Sequence, residues 1–135
     1  MWEHWEFSDN TYSHNHPMFG SVSEWFYKGL AGIEPDPSGP GFKKFLIRPS
    51  VVGDLTWVKC HHDSMYGRIE SSWRREGKKL TMMVTVPVNT TATVTVPGTE
   101  ITESGSLLAV KLLRTGGKSS VYEVGSGSYR FESNL

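Results

Sequence analysis

Two spacings of apolar residues divide the chain. From residue 17 to residue 32 apolar side chains recur every three or four positions, which is the spacing of one face of a helix, and Pro17 suits the first helical position. The members of this stripe are Met18, Phe19, Val22, Trp25, Phe26 and Leu30. The prolines and glycines of residues 34–41 cannot continue a helix. The pattern predicts a loop and one helix over residues 1–33, with the helix at 17–32, followed by a linker over residues 34–41.

Beyond the linker the apolar spacing changes to two, the period of a half-buried strand. Ala92, Val94 and Val96, for example, alternate with threonines and are expected to face a core. The predicted strands cover residues 45–49, 55–60, 67–75, 80–87, 92–97, 107–113, 119–124 and 129–132. Residues 76–78 and 89–91 carry turn signals between strands. The sequence therefore predicts a mainly β fold, an antiparallel β-sandwich of about eight strands over residues 42–135.

Composition narrows the classes of function. Of the 135 residues, 14 are Lys or Arg and 14 are Asp or Glu, so the formal net charge is zero and bulk electrostatics favour neither nucleic acid nor an anionic membrane. Cys60 is the only cysteine, which excludes an intrachain disulfide and a multi-thiolate metal site. No apolar run approaches the roughly 20 residues of a membrane span, and no signal peptide is visible. We therefore expect neither nucleic acid nor a membrane as a partner.

The first residues of the chain concentrate aromatic and acidic side chains. Glu3 and Glu6 are too close in sequence to flank a sugar from opposite sides, so any carboxylate pair would need a partner from elsewhere. From the residues alone, Glu3 is either functional or a solvated carboxylate. Trp2 and Trp5 are suited to the apolar face of a sugar ring, but they can equally pack in a core.

Histidines and the lone cysteine are weaker candidates for chemistry. His14 and His16 present two imidazoles, but no third metal ligand is evident, and His16 is as well placed to cap the helix or to bind a hydroxyl. His61 and His62 lie in a predicted strand and point to opposite faces, so they cannot share one ion. Cys60 lacks a local nucleophile motif and is expected to be a small buried side chain. We expect no metal and no other cofactor.

Ordered motifs along nearly the whole chain carry a family resemblance. The first group is Trp2-Glu3-x-Trp5, a polar loop, Asn15-His16 and Phe19-Gly-Ser-Val-x-Glu-Trp25. The second group is Pro40-Gly-Phe-Lys-Lys44, Val52-Gly-Asp-Leu-Thr-Trp-Val58, Ser64-x-Tyr-Gly67, Trp73-x-Arg-Glu-Gly77 and Val86-Pro-x-Asn-Thr-Thr-Ala92. The first group resembles the end of the catalytic domain of glycoside hydrolase family 78, the α-L-rhamnosidases. The second resembles the C-terminal β-sandwich of the same family.

The resemblance implies a role for each residue of the first group. Members of the family hydrolyse terminal α-L-rhamnose with inversion in an (α/α)6 barrel, with one glutamate as general acid and another as general base. Carried over by motif, Glu3 is expected to be the base and His16 to hydrogen-bond a rhamnose hydroxyl. Trp2 and Trp5 are then site-wall or local packing residues. The resemblance places the general acid in earlier barrel helices, and it makes the helix at 17–32 the last helix of the barrel.

Two functions remain open at this point. The first is a C-terminal fragment of an inverting α-L-rhamnosidase acting on plant-type glycosides or polysaccharides, inactive alone because general acid/base catalysis needs both groups. Its aromatic helix is expected to pair with the upstream catalytic segment or to self-associate. The alternative is a noncatalytic carbohydrate-binding or domain-bracing sandwich. If the parent enzyme is periplasmic or extracellular, its export signal is expected outside this sequence.

Overall fold

The computed structural model describes residues 14–105 and 110–135, in which a helical segment precedes ten β-strands. This helical segment comprises a 3-10 turn at Pro17–Gly20, the short α-helix α1 at Val22–Trp25 and a π-helical turn at Phe26–Leu30. Another 3-10 turn lies at Pro40–Phe42. The strands are β1 (Ile33–Pro35), β2 (Lys44–Ile47), β3 (Trp57–Ser64), β4 (Gly67–Glu76), β5 (Lys79–Val86), β6 (Thr91–Pro97), β7 (Thr99–Gly105), β8 (Val110–Gly116), β9 (Ser119–Val124) and β10 (Gly127–Asn134).

The helical segment differs from the single regular helix predicted over residues 17–32. At its end the N–H of Ala31 donates to the carbonyl of Phe26 at 3.1 Å, a bond across five residues that is characteristic of a π-turn. The indole of Trp25 lies over Gly29 so closely that a Cβ at Gly29 would come within 2.8 Å of its Nε1 atom. Over runs this short, spacings of three and four residues are compatible with 3-10, α and π turns alike. The apolar pattern therefore located the segment without distinguishing its three windings.

Two five-stranded sheets form the sandwich. One has the strand order β1-β2-β6-β9-β8 and the other the order β3-β4-β5-β10-β7. All pairs are antiparallel except β2 with β6, which run parallel; β3, β4 and β5 lie between them in the sequence and belong to the other sheet. The predicted antiparallel sandwich is confirmed, with this one parallel pair added.

Strands β1 and β7 were not predicted. β1 has three residues and pairs with β2, and its Glu34 and Pro35 belong to the stretch interpreted from its prolines as a linker. β7 has the sequence TEITESG, in which Ile101 is the only aliphatic side chain. A polar strand on the edge of a sheet lacks the apolar alternation on which strand prediction depends. Both strands were missed for the same reason: pairing, rather than sequence pattern, defines them.

The core lies between the sheets and follows the predicted alternation. Ala92, Val94 and Val96 are fully buried, while the threonines between them are half-buried. Facing residues come from the other sheet, so that the core draws on both layers. Other members of the core include Ile33, Phe45, Ile47, Ile69, Trp73, Leu80, Met82, Val84, Val86, Val124, Tyr129 and Phe131. Burial of this many apolar side chains makes the sandwich the stable part of the molecule.

Both predicted turns are observed. Gly77 and Lys78 connect β4 to β5 in a two-residue hairpin, with Gly77 at a φ of +60° that favours glycine. Asn89 has a φ of +61° in the connection between β5 and β6, and asparagine tolerates this conformation better than most residues.

Candidate functional site

The predicted site residues fall into two groups. Trp2, Glu3 and Trp5 lie outside the described residues, so their roles stay predictions. His16 is described, and it lies directly before the 3-10 turn that opens the helical segment. The observable part of the site is therefore His16 and the elements that position it.

His16 is held beside the start of the helical segment. Its backbone is extended, with φ −103° and ψ 92°, and its carbonyl accepts the N–H of Phe19 at 3.3 Å. The half-buried imidazole packs against the Phe19 ring, with centroids 4.8 Å apart and planes tilted by 35°. Within the described part of the chain the imidazole gives no capping hydrogen bond to this turn, so the capping role considered for it is not observed.

The helical segment presents a surface of exposed apolar side chains, called here the aromatic face. Its six members are 44% to 66% exposed: Met18, Phe19, Val22, Trp25, Phe26 and Tyr27. Glu24 and Lys28 form an ion pair one helical turn apart on the same segment. Within the helical segment only Leu30 is buried. The aromatic face is far more exposed than apolar side chains of this size usually are.

A groove of about 730 Å³ separates the end of the helical segment from strand β3. Phe26, Tyr27 and Leu30 line one side, and residues 54–61 line the other. Trp57 is 62% exposed and Leu55 is 37% exposed, so the groove adds apolar surface next to the aromatic face. The two surfaces together form one apolar region that faces away from the sandwich core.

The last turn of the helical segment is fixed to the sandwich by four hydrogen bonds, called here the carbonyl clamp. The final carbonyls of a helix have no partners within the helix and need external donors. The bonds run from Ser50 N–H to the Gly29 carbonyl (3.0 Å), Trp73 Nε1–H to Leu30 (2.9 Å), Ser71 Oγ–H to Ala31 (2.7 Å) and Arg48 N–H to Gly32 (2.9 Å). Trp73 and Ser71 are 2% and 0% exposed. Four consecutive carbonyls are thus satisfied by the sandwich alone.

Gly32 permits the close approach on which this clamp depends. Its φ is +74°, and a Cβ at this position would lie 2.2 Å from the backbone carbon of Arg48. Any side chain here would collide with rigid backbone as well as adopt a strained conformation. Gly32 therefore lets the chain leave the helical segment and pass directly into β1 against β2.

The other polar candidates behave as structural groups. Burial raises the pKa of the Cys60 thiol, which disfavours the reactive thiolate, and the side chain packs against the core. His62 is half-buried against the Phe42 ring at 4.4 Å, while His61 is exposed, as expected for neighbours on opposite faces of a strand. Hydrogen bonding to Arg68 lowers the pKa of the Asp63 carboxyl.

Two further observations concern ligands and membranes. Across residues 14–105 and 110–135, no three His, Cys, Asp or Glu side chains come together in a way that could hold a metal ion. In the same ranges no helix is both long and apolar enough to cross a membrane.

Sequence reasoning missed Ser71 and Trp73 as ligands of the helix end. Both occupy inward positions of β4, where Ile69, Ser71 and Trp73 are all buried. A serine among inward-facing apolar residues was the available signal, because a buried hydroxyl requires a hydrogen-bond partner. The identity of that partner required the structure.

The family follows from a match over the sandwich. The family model described as the bacterial alpha-L-rhamnosidase C-terminal domain matches residues 32–107, more than half of the chain. The chain belongs to this family. The match to the α-L-rhamnosidase C-terminal domain begins at Gly32, the last carbonyl of the clamp, and it includes Ser50, Ser71 and Trp73.

Curated relatives of this rhamnosidase domain extend the similarity toward the N-terminus. An α-L-rhamnosidase from Streptomyces avermitilis is 32% identical over 139 residues, which covers 97% of this chain and 13% of that protein. An α-L-rhamnosidase from Formosa agariphila is 33% identical over 98 residues, covering 72% of this chain and 10% of that protein.

Solved structures give the same result for the fold. The structure of the Streptomyces avermitilis α-L-rhamnosidase complexed with L-rhamnose matches with a TM-score of 0.84 and 31% identity over 99% of this chain and 14% of that chain. An α-L-rhamnosidase from Dictyoglumus thermophilum matches with a TM-score of 0.81 and 35% identity, over 100% of this chain and 16% of that chain. The chain thus spans 10% to 16% of the length of these relatives.

Proposed function

We propose that this chain acts as the C-terminal part of an inverting α-L-rhamnosidase. The helical segment completes the catalytic domain, and the sandwich supports it. The observation that carries the proposal is that the similarity to the Streptomyces avermitilis enzyme covers 99% of the chain, with a TM-score of 0.84. The similarity therefore takes in the helical segment as well as the sandwich.

The aromatic face supports a partner on the N-terminal side. Six apolar side chains on one short segment are 44% to 66% exposed. Burying such a side chain fully contributes about 1.5–3 kcal/mol, so covering this face and the adjacent groove is strongly favourable. Its chemistry suits the apolar flanks of neighbouring helices in a catalytic barrel. In the absence of those helices, self-association through the same face is the expected substitute.

The proposed chemistry assigns one role to each residue of the N-terminal motif. The carboxylate of Glu3 removes a proton from the attacking water as the water approaches the anomeric carbon. His16 hydrogen-bonds a hydroxyl of the sugar, and Trp2 and Trp5 form part of the wall. Inversion requires a second carboxyl about 6.5–9.5 Å away, on the other side of the sugar, to protonate the leaving oxygen. That general acid comes from the part of the enzyme that relatives carry in addition to this segment, so the chain alone is expected to be inactive.

A hybrid enzyme provides the test. In it, residues 1–135 replace the segment that they match in the Streptomyces avermitilis rhamnosidase. We expect no turnover of an aryl α-L-rhamnoside by the isolated chain and clear turnover by the hybrid. Proton NMR of the first product formed from the α-rhamnoside should reveal β-L-rhamnose, as inversion demands. A folded hybrid without activity, or turnover by the chain alone, would contradict the proposal.

Glu3 is tested by a pair of matched substitutions in the same hybrid. Glu3→Gln removes the base but keeps the side chain's size, so kcat should fall about 100- to 10,000-fold. Glu6→Gln makes the same change three residues away and should leave kcat within about threefold, since no catalytic role is assigned to Glu6. If both variants keep activity, Glu3 is not the base.

Carbohydrate binding by the sandwich is the second candidate function. The observation in its favour is Trp57, which lines the groove with 62% of its surface exposed and offers an aromatic face to a sugar ring. Among the described residues after 42, it is the most exposed Phe, Tyr or Trp side chain. Titration of the chain with rhamnosides and plant oligosaccharides tests this function: binding lost in Trp57→Ala supports it, and absence of binding removes it.

A further inference from the structure

The carbonyl clamp joins the sandwich to the segment that the proposed function places in the active site. The four bonded carbonyls, residues 29–32, lie at one end of the helical segment. His16 lies at the other end, and Glu3 precedes it in the chain. The clamp side chains of Trp73 and Ser71 are buried and cannot contact a sugar directly, so any effect on catalysis must pass through the orientation of the segment.

Trp73 and Ser71 differ from the other two members of the clamp. Ser50 and Arg48 donate through backbone N–H groups that any residue except proline supplies. Trp73 and Ser71 donate through side chains that reach across from β4 in the other sheet. The helical segment is thereby held by both layers of the sandwich rather than only by the strand that follows it. Hydrogen bonds from both sheets restrict tilting of the helical segment more than its covalent connection to β1 alone would.

The length of the helical segment amplifies any change in its orientation at the clamp. The fourteen residues from Pro17 to Leu30 span roughly 20 Å at about 1.5 Å per residue, so a tilt of about 5° at the clamp displaces the far end by about 2 Å. A displacement of about 1 Å in a reacting group can cost 100-fold in rate. Small changes at the clamp are therefore amplified at the end of the segment where His16 lies.

The described surroundings of the helical segment strengthen this argument. Within the described residues, its aromatic face is open, and Leu30 is the only buried side chain of the segment. Its fixed end is instead fully buried, with Ala31 at 0% exposure. The sandwich thus orients the segment before any partner covers the aromatic face. This arrangement favours preorganisation over adjustment on docking.

We propose that Trp73 and Ser71 are positioning residues of the rhamnosidase reaction, acting through the carbonyls of Leu30 and Ala31 to set the orientation of the segment that carries His16. This inference rests on the proposed function. It adds that the sandwich supplies two specific side chains for catalysis, rather than only general support for the barrel.

The clamp itself is tested in the isolated chain by hydrogen exchange. Trp73→Phe keeps an aromatic ring but removes the indole N–H, and Ser71→Ala removes the hydroxyl. Each should raise the exchange rate of amides in residues 26–31 by about tenfold or more, while strands β5 and β10 keep their protection. Ser72→Ala is the matched control, because Ser72 is the neighbouring serine on the other face of β4. Unchanged exchange in both clamp variants would overturn the proposal.

The catalytic consequence is tested in the hybrid enzyme described above. Trp73→Phe and Ser71→Ala should each lower kcat by about 10- to 100-fold. Val96→Ala creates a core defect in β6, away from the clamp, and Ser72→Ala changes a serine outside it; both should keep kcat within about threefold below their melting temperatures. Loss of kcat in the clamp variants alone identifies positioning, because general destabilisation would lower the activity of Val96→Ala as well.

The outcomes separate this inference from the proposed function. A hybrid that is inactive with Trp73 and Ser71 intact contradicts the proposed function itself. An active hybrid whose kcat is unchanged by both clamp substitutions overturns the positioning role and leaves the proposed function standing. A third outcome, equal loss of kcat in the clamp variants and in Val96→Ala, also overturns positioning.

Discussion

The helical segment and the sandwich are both rich in apolar side chains, yet they bury them in opposite ways. In the sandwich Phe131 is 0% exposed, whereas Phe26 of the helical segment is 50% exposed. The sandwich completes its own core by packing one sheet on the other. The helical segment buries an apolar side chain only at the end that the carbonyl clamp holds. The difference supports the proposed contact between the helical segment and the catalytic part of a rhamnosidase.

Truncation of one phenylalanine in each region should give the largest difference in stability between them. Phe131→Ala should lower the free energy of unfolding by about 3–5 kcal/mol, because it opens a cavity in the core. Phe26→Ala should lower it by less than about 1 kcal/mol, because half of the ring is already in water. Urea denaturation followed by circular dichroism measures both. Similar losses for the two variants would mean that the helical segment shares the core of the sandwich.

A smaller effect is expected where the two regions meet. Ser71→Ala leaves the buried Ala31 carbonyl without its donor and should lower the free energy of unfolding by about 1–3 kcal/mol. Ser72→Ala should change it by no more than about 0.5 kcal/mol. The urea midpoints of the two variants make the comparison. A Ser71→Ala protein as stable as Ser72→Ala would show that the junction contributes nothing to stability.

The smallest of the expected effects is that of acid on the stability of the folded state. We expect acid to act on the two regions separately. Hydrogen bonds to Lys79 and Arg130 lower the pKa of Glu132 in β10, and the hydrogen bond to Lys28 lowers the pKa of Glu24 in α1. A carboxyl with a lowered pKa stabilises the folded state above its ordinary value of 4.5, and this stabilisation is lost as the pH falls through the lowered pKa.

Matched substitutions assign each part of this pH dependence. Glu132→Gln should remove part of the fall in sandwich stability below pH 4.5, measured by thermal unfolding of the β signal. Glu24→Gln should change only the helical signal at 222 nm and leave the sandwich transition unmoved. If Glu24→Gln shifts the sandwich transition as much as Glu132→Gln does, the two regions unfold as one unit.

The two regions also differ in how much of their structure the sequence pattern predicted. Alternation predicted the β6 core positions Ala92, Val94 and Val96, and turn-forming residues located the turns at Gly77 and Asn89. It did not find β7, whose only aliphatic residue is Ile101, because an edge strand need not alternate. In the helical segment, spacing located the apolar side chains but did not resolve the three windings, which depend on local hydrogen bonds and on the Trp25 ring over Gly29.

Only the residues of the candidate site that belong to local sequence motifs could be predicted. The order of Trp2, Glu3 and His16 carried the family resemblance, and a family match over residues 32–107 confirms that family. The clamp could not be predicted, because it joins residues 40 or more positions apart: Ala31 with Ser71 and Leu30 with Trp73. Such pairings depend on the packing of two sheets, which no local pattern specifies.

Oxidative footprinting read by mass spectrometry tests most directly whether the aromatic face is an interface with the catalytic part of a rhamnosidase. Met18 and Trp25 are 66% and 51% exposed here and should be labelled readily in the isolated chain at low concentration, while buried Met82 is protected. In the hybrid enzyme both residues should become protected by about tenfold or more, and Met82 should not change. Equal labelling of Met18 and Trp25 in the chain and in an active hybrid would contradict the interface.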